Sequence, residues 1–431
     1  MTMPPPGQPP LFDTDTVLSP YIYVFIAAYV LSFIFTPIMR RVAEFYGIID
    51  KPDLLRKMHS RPVAYLGGVA VFMGWIGGLA VSQFTQLHYW GPDFDTLGYA
   101  HHVVIKPQIV VAAFIIIALG LWDDISTIRA RYKVMGQIAA ACVLISGSIG
   151  THSTGPLLGP ILSRLYVRFH FVPPEWVVPI TSCALVIGIV VFCCNATNLM
   201  DGLDGLCGGV TAIITAGFLF LALNMAIKSG ASDVHGSAFR IVLALALLGG
   251  VLGFIPYNFN PASIFMGDTG SMFLGFALSL LIITMAEIDT RWLLASMVMF
   301  ALPVLDTALA FARRIVNKRH VFAADKQHFH HQLVSRGLTV RKAVITAYAL
   351  AIGFTILGAM IVYLRTRYAL AVYLVIFGSI IVAAYKMGMV HERPAIIEGG
   401  KPLGPSDVIS PTTLEAGSVL EIRESEKKPP Q

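Results

Sequence analysis

Carboxylates, amides and histidines gather in a few short stretches of this sequence, each at the edge of a long apolar run. Asp123 and Asp124 are adjacent. Asn195, Asn198, Asp201 and Asp204 share the segment from Asn195 to Leu206. Asn258 and Asp268 lie in one connection, the latter within Phe265-Met-Gly-Asp-Thr-Gly-Ser. His328, His330 and His331 close the run Asp325-Lys-Gln-His-Phe-His-His. Neighbouring carboxylates repel, and a metal, a lysine or a bound cationic group relieves them. Lys133, nine residues after Asp124, is a candidate. Asp201 and Asp204 are spaced i, i+3, as are Asn198 and Asp201, so a helical turn would put them on one face. Such oxygen donors suit a hard cation, Mg2+ above all and Mn2+ as a substitute. A helix opening at Asp268 would offer free N–H groups to an anion such as phosphate. A cation would then be needed between that anion and Asp268.

The histidines stand close to Arg313, Arg314, Lys318, Arg319, His320 and Lys326. Zinc is a weaker reading, because HExxH and a cysteine partner are missing. A basic rim that receives phosphates fits better. The bland alternatives are turns punctuated by Asp and Gly and juxtamembrane charge that only fixes topology. Asp306 falls inside an apolar run. An intramembrane carboxylate is a functional hypothesis by default, but Arg313 is about two helical turns away, and a structural pair with it is the expected role.

The elements that carry these residues follow from composition. The chain has 431 residues, 56% hydrophobic and 13% charged, with a mean hydropathy of +0.71. About 25% charged residues is usual in soluble domains. Eleven apolar runs are long enough to cross hydrocarbon, near 20–39, 64–83, 108–122, 133–150, 177–194, 208–227, 238–256, 270–286, 292–312, 343–364 and 369–387. In lipid these must be helices or a closed barrel, and their length makes them helices. The expected fold is therefore an all-α polytopic membrane protein with about eleven transmembrane helices. Alternate loops hold seventeen Lys and Arg against eight, which puts the N-terminus outside and the C-terminus in the cytoplasm of a cell membrane. All four polar groups then fall on the cytoplasmic side, although they took no part in setting the topology. Residues 1–19, without Lys or Arg and with five prolines, read as a short extracytoplasmic tail rather than a signal peptide. Residues 20–387 form the membrane domain, and 388–431 a polar, disordered cytoplasmic tail. The five cysteines read as small packing residues. The net charge of +6 speaks to topology, not to nucleic acid.

Four or five acidic positions, amide oxygens, a helix N-terminus and a basic rim describe a Mg2+–diphosphate site at a membrane surface. Phosphoryl transfer asks a protein mainly for in-line positioning and charge neutralisation. In this combination the sequence resembles the polyprenyl-phosphate N-acetylhexosamine-1-phosphate transferases, the MraY–WecA–TagO family. The resemblance covers roughly 40–342. It is carried by His59-Ser-Arg-Pro-Val-Ala-Tyr-Leu-Gly-Gly, Asp123-Asp124, Asn195 through Gly205, Phe265 through Ser271, and Asp325 through His331, in order.

The resemblance implies attack of undecaprenyl phosphate on the β-phosphorus of a UDP-N-acetylhexosamine, releasing UMP. It implies that Asp268 and Asn198 hold Mg2+, and that Asp123 or Asp124 orients or deprotonates the lipid phosphate. Asp201, Asp204 and Asn258 would line the nucleotide-sugar pocket, with Phe265 stacking on uracil. His328, His330, His331 and Arg314 would meet phosphates or sugar, and Lys133 would draw in the lipid phosphate. The histidine run is similar to that of the WecA/TagO branch, which transfers GlcNAc-1-phosphate, with Phe329 a mild departure. The rivals are the same reaction on UDP-MurNAc-pentapeptide and, from another class, an ion-coupled transporter. A homodimer is the one protein partner considered.

Overall fold

The computed structural model describes residues 18, 21–50, 62–88, 103–170, 172, 174–229, 234–316 and 328–386. The expected tails at 1–19 and 388–431 fall outside these residues, apart from Leu18, as do His59-Ser-Arg61, Asp325-Lys-Gln327, Lys318, Arg319 and His320.

Each apolar run in the sequence is a helix. In chain order they are α1 (Ile22–Tyr46), α2 (Gly67–His88), α3 (Pro107–Ile125), α4 (Ala130–Ser146), then α6 (Val177–Met200), α7 (Leu206–Ser229), α8 (Val234–Asn258) and α9 (Gly267–Ala286). The ninth run is two helices, α10 (Thr290–Met299) and α11 (Ala301–Val316), and α13 (Val340–Ile361) and α14 (Thr366–Lys386) follow. Among the described residues eight helices are long and apolar enough to cross a membrane, nine if the bent pair counts as one span. The two other expected spans, α4 and α14, are helices that fall short of that test. Two further helices, α5 (Gly155–Phe169) and α12 (Phe329–Ser335), were not among the expected spans. The chain is an all-α polytopic membrane protein.

Burial ranks these helices. In α9 every residue except Asp268 is buried, so a helix apolar on all sides forms the axis of the bundle. It packs against α2, α3 and α6. Helix α8 lies against α1, α2 and α7 on one flank, and α13 covers α7 and α10 on the other. Helix α5 buries none of its residues. It carries Leu157, Leu158, Ile161 and Leu165 at helical spacing beside Arg164 and Arg168.

The break in the ninth run has a local cause. Pro303 in a continuous helix would lack its own N–H and collide with the carbonyl four residues before it, that of Met299. The chain breaks there instead, with Phe300 as the joint and an angle of 72° between α10 and α11. Asp289 caps α10 by accepting from the Arg291 N–H at 2.9 Å.

A minimal sheet links two distant loops. β1 (Ile49–Asp50) pairs antiparallel with β2 (Val63–Ala64), and Ala64 bridges in parallel to Ile264. The Phe265 N–H donates to Ala64 O at 2.8 Å, and the Gly67 and Gly68 N–H groups donate back to Phe265 O and Met266 O at 3.0 and 2.9 Å. These bonds fix the entry of the chain into α9.

The far end of α9 is also tied down. Arg240, counted among the eight Lys and Arg of the outer loops although it falls in the run at 238–256, lies in α8 and is buried. Its Nε and Nη2 donate to Thr284 O at 3.2 and 3.1 Å, in the last turn of α9, where the helix dipole favours a cation. Without Arg240 the charge inequality between the two sides still stands. Arg240→Ala is expected to lower the melting temperature in detergent, at a cost of about 1–3 kcal/mol for a buried carbonyl left without its donor, while substrate KM values stay unchanged.

Candidate active site

The first turn of α9 is where the distant motifs meet. Asp124, in the last turn of α3, points its carboxylate at that turn. Oδ1 accepts from the Asp268 N–H at 2.8 Å, and Oδ2 accepts from the Thr269 N–H at 3.0 Å and the Thr269 hydroxyl at 2.5 Å. These are free donors of a helix N-terminus, taken by a carboxylate 144 residues away in sequence. The sequence pointed to a phosphate at this position; the anion found there is Asp124 itself. The approach needs small residues. Gly267 has φ +71°, and a Cβ on it would lie 2.5 Å from Asp124 Oδ2. A Cβ on Gly120 would lie 2.4 Å from the Thr269 Cα.

Asp123 faces the other way along the same helix end. Its Oδ1 accepts from the Ile128 N–H at 2.8 Å. Its Oδ2 lies 2.5 Å from Lys133 Nζ, which is also 2.5 Å from Asp268 Oδ2. The lysine proposed from spacing is therefore the cation between two carboxylates, and its partners are Asp123 and Asp268, not Asp124. Asn198, in the last turn of α6, donates through Nδ2 to Asp268 Oδ1 and to Ser271 Oγ, both at 3.0 Å. Asn195, one turn earlier, is spent on packing: its Nδ2 donates to Gln137 Oε1 and to Val191 O, both at 2.7 Å.

The segment after α6 departs from the expected geometry. Helix α6 stops at Met200, so Asp201 and Asp204 share no helical turn. Asp204 Oδ2 accepts from Asn260 Nδ2 at 2.9 Å and from the Ala262 N–H at 3.0 Å. Asn258 is buried; its Oδ1 accepts from the Gly205 N–H at 3.1 Å and its Nδ2 donates to Ile264 O at 3.0 Å. Both residues staple the 201–205 turn to the 258–265 loop, Asn258 from a buried position and Asp204 through one oxygen from a half-buried one. Asp201 makes no such staple. Burial, together with the negative charges of Asp268, Asp124 and Asp204, pushes its carboxyl up to about 8. Phe265 is half-buried with its ring 6.0 Å from that of Tyr65. The Tyr65 hydroxyl, bonded to Asp50 and buried, is held well above the usual phenol range.

The histidines form a second cluster beside this turn. Rings of His328 and His330 stack at 5.7 Å and 7°, and His330 and His331 lie 4.3 Å apart. Asp306 does not have Arg313 as its partner, as the sequence suggested. Its Oδ2 lies 3.3 Å from His328 Nδ1 and 3.9 Å from His330 Nδ1, and its Oδ1 accepts from the Phe329 N–H at 2.7 Å. Asp306, in α11, thus meets the start of α12, the helix that follows it. Burial, then the neighbouring histidine charges, pushes His330 down to about 3, and burial lowers His331 too. Arg314, on the last turn of α11, is half-buried. Sequence reasoning missed Thr269 and Ser271, visible only as small polar residues after Asp268, and misjudged the partner of Asp306.

The donor set fits a hard divalent cation. Oxygens of Asp123 and Asp268 converge on one point, now the Lys133 ammonium, and Asn198 adds an amide beside Asp268. Among the described residues no group of three or more His, Cys, Asp or Glu is arranged to hold a metal ion by itself. A bundle of apolar helices whose polar ends converge on carboxylates around one lysine gathers its polar groups at one end of a membrane domain.

Known proteins specify the class. Residues 107–286 match the profile of Glycosyl transferase family 4. The chain is 32% identical to the Bacillus subtilis protein named "Probable undecaprenyl-phosphate N-acetylglucosaminyl 1-phosphate transferase", over 78% of this chain and 83% of the relative. It is 31% identical to decaprenyl-phosphate N-acetylglucosaminephosphotransferase of Mycobacterium tuberculosis, over 78% and 80%. It is 28% identical to phospho-N-acetylmuramoyl-pentapeptide-transferase of Bacillus licheniformis, over 80% and 98%. The chain belongs to Glycosyl transferase family 4.

Two measurements probe the site itself. Asp124→Ala frees two N–H groups and a hydroxyl at the mouth of α9. It is expected to cost about 2–4 kcal/mol and to lower turnover through displacement of Asp268, read as a lower melting temperature together with a lower kcat. The second concerns pH. Between the ordinary carboxyl value and about 8, folded Asp201 keeps a proton that the unfolded chain has released, so this group costs stability as pH rises through that window. In chelating buffer the melting temperature is expected to fall as pH rises from ~4 to ~8, and Asp201→Asn is expected to flatten the fall.

Proposed function

We propose that this protein transfers GlcNAc-1-phosphate from UDP-GlcNAc to undecaprenyl phosphate, forming undecaprenyl-diphospho-GlcNAc and releasing UMP. The observation that carries this reading is the meeting of Asp123, Lys133, Asn198 and Asp268 at one end of the bundle. The names of the Bacillus and Mycobacterium relatives supply the hexosamine and the lipid class. Orientation by Lys and Arg supports placing this end at the cytoplasmic face of the cell membrane, where a soluble nucleotide-sugar and a lipid phosphate can both arrive.

In this reading Asp268 and Asn198 hold Mg2+, with Mn2+ as a substitute, and Asp123 stands beside them. The ion supplies neutralisation of the diphosphate charge. Lys133 pairs with the carboxylates when the site is empty of phosphate and turns to the incoming lipid phosphate. Asp123 orients the attacking phosphate oxygen and accepts its proton if one is present. That oxygen attacks the β-phosphorus in line, the bond to the bridging oxygen breaks, and UMP leaves. Asp124 fixes the first turn of α9, so its part is positioning, and it does not serve as the base. Asp201 feels the charge of Asp268 and precedes Gly202, against which His330 packs. His328, His330, His331 and Arg314 meet the sugar or the diphosphate, and Phe265 with Tyr65 offers an aromatic wall to uracil.

The pentapeptide transferase reading shares this chemistry, and the histidine run disfavours it. A transporter would place its carboxylates near the bilayer midplane in broken helices. Here Asp123, Asp124, Asn198 and Asp268 all occupy terminal turns.

The test is a panel of UDP-sugars with purified full-length protein. UMP is expected only when UDP-GlcNAc and undecaprenyl phosphate are both present, to stop with a chelator and to return with Mg2+. Turnover of UDP-MurNAc-pentapeptide in its place would give the function to the rival transferase. Asp268→Asn is expected to lower kcat by at least about 1,000-fold with normal membrane insertion.

A further inference from the structure

Gln137 is fully buried, one turn deeper in the bundle than Lys133 and on the same face of α4. Its side-chain oxygen accepts from Asn195 Nδ2 at 2.7 Å, and its nitrogen donates to Met272 Sδ at 3.6 Å. This amide has one orientation. Asn195 Nδ2 gives its two protons to Val191 O and to Gln137, so the oxygen of Gln137 must face it. Asn195 stands one turn deeper than Asn198 in α6, and Met272 one turn deeper than Asp268 in α9. The residues that meet at Gln137 therefore lie one turn beneath Lys133, Asn198 and Asp268, which meet at the site. An apolar side chain would fill the position of Gln137 without the cost of burying an amide. A polar pair kept at that cost sets register, because sliding or turning α4 would leave the amide without its partner. Helix α4 packs on α3 and α6, and it reaches α9 with Lys133 and Gln137. Lysine has a long, flexible stem, so where its ammonium rests depends on where α4 holds its base.

We propose that Gln137, gripped by Asn195, is a positioning residue that sets the register of α4 against α6 and α9 and so holds the Lys133 ammonium between Asp123 and Asp268. Register passes from Gln137 to Lys133 across one helical turn, and the same bond ties α4 to the stretch of α6 that ends in Asn198. The hold on Lys133 needs no ligand. Its consequence for the divalent cation rests on the transferase reading, in which Lys133 yields its place to the ion. Without the grip, Lys133 and Asn198 lose their common footing, and the donors around Asp268 are no longer preset for the ion.

The experiment uses full-length protein in detergent, with Gln137→Leu, Gln137→Asn, Asn195→Gln and the exchanged pair Gln137→Asn/Asn195→Gln. The exchange keeps both amides and their summed side-chain length. Zero-length carbodiimide cross-linking of Lys133 to Asp123 or Asp268, quantified by mass spectrometry in chelating buffer, reads the hold on the ammonium. Mn2+ binding with UDP present, by paramagnetic resonance, reads the cation. Gln137→Leu is expected to lower the cross-link yield about fivefold and to raise the Mn2+ Kd about tenfold. Its melting temperature is expected to stay within about 2 °C of wild type, since Asn195 keeps its bond to Val191 O and an apolar side chain fills the space. Each single amide variant is expected to show the same losses, and the exchanged pair to recover most of them. An unchanged cross-link yield in Gln137→Leu overturns the proposal. Losses that track a lowered melting temperature and are not recovered by the exchanged pair also overturn it, and make the pair ordinary packing. A wild-type protein that binds no Mn2+ would sink the cation reading, and the cross-linking comparison would still decide the role of Gln137.

Discussion

The carboxylate of Asp124 on the first turn of α9 is the contact on which the rest of the site depends. An axial helix buried along its length can expose chemistry only at its ends, and its first turn would be costly to bury with bare N–H groups. Asp124 satisfies two of those N–H groups and the Thr269 hydroxyl. In doing so it ties α3 to α9. Asp123, the next residue back, is thereby brought to share Lys133 with Asp268. Two adjacent aspartates thus divide the labour: one holds the helix, the other pairs with Lys133.

The same end of the bundle is closed by loops that use their polar groups on one another. Asp204 and Asn258 knit the turn after α6 to the loop before α9, and the small sheet at Ala64 and Phe265 holds that loop from the other side. Rigid loops in a low-dielectric setting keep charges where they are needed without reorganisation. The result is an excess of carboxylates around one lysine, a field that adds to burial in resisting ionisation of Asp201.

Much of this architecture was legible from sequence. All eleven apolar runs are helices because run length is a direct consequence of bilayer thickness. The grouping of Asp123, Asn198 and Asp268 was legible too, since each residue sits at the edge of such a run. What sequence could not show were partners fixed by long-range packing. Asp124 reads as half of an acidic pair until its partners, 144 and 145 residues away, are known. Asp201 and Asp204 share a helical spacing, but α6 ends before them. Asp306 was matched to Arg313 by counting turns along one helix, whereas its partners are residues 328–330, at the start of α12 beyond the C-terminal end of that helix. Helix α5 escaped because its apolar residues are spread at helical spacing among Gly159, Pro160 and Ser163 rather than in a run.

The central claim is that Asp268 and Asn198, with Asp123 beside them, create one divalent-cation site that a pyrophosphate completes. The most direct measurement is Mn2+ binding by electron paramagnetic resonance on the full-length protein, with UDP present. The expected result is one bound ion per chain, displaced by Mg2+, lost in Asp268→Asn and weakened in Asn198→Ala. A site that keeps its full affinity in Asp268→Asn would contradict the claim.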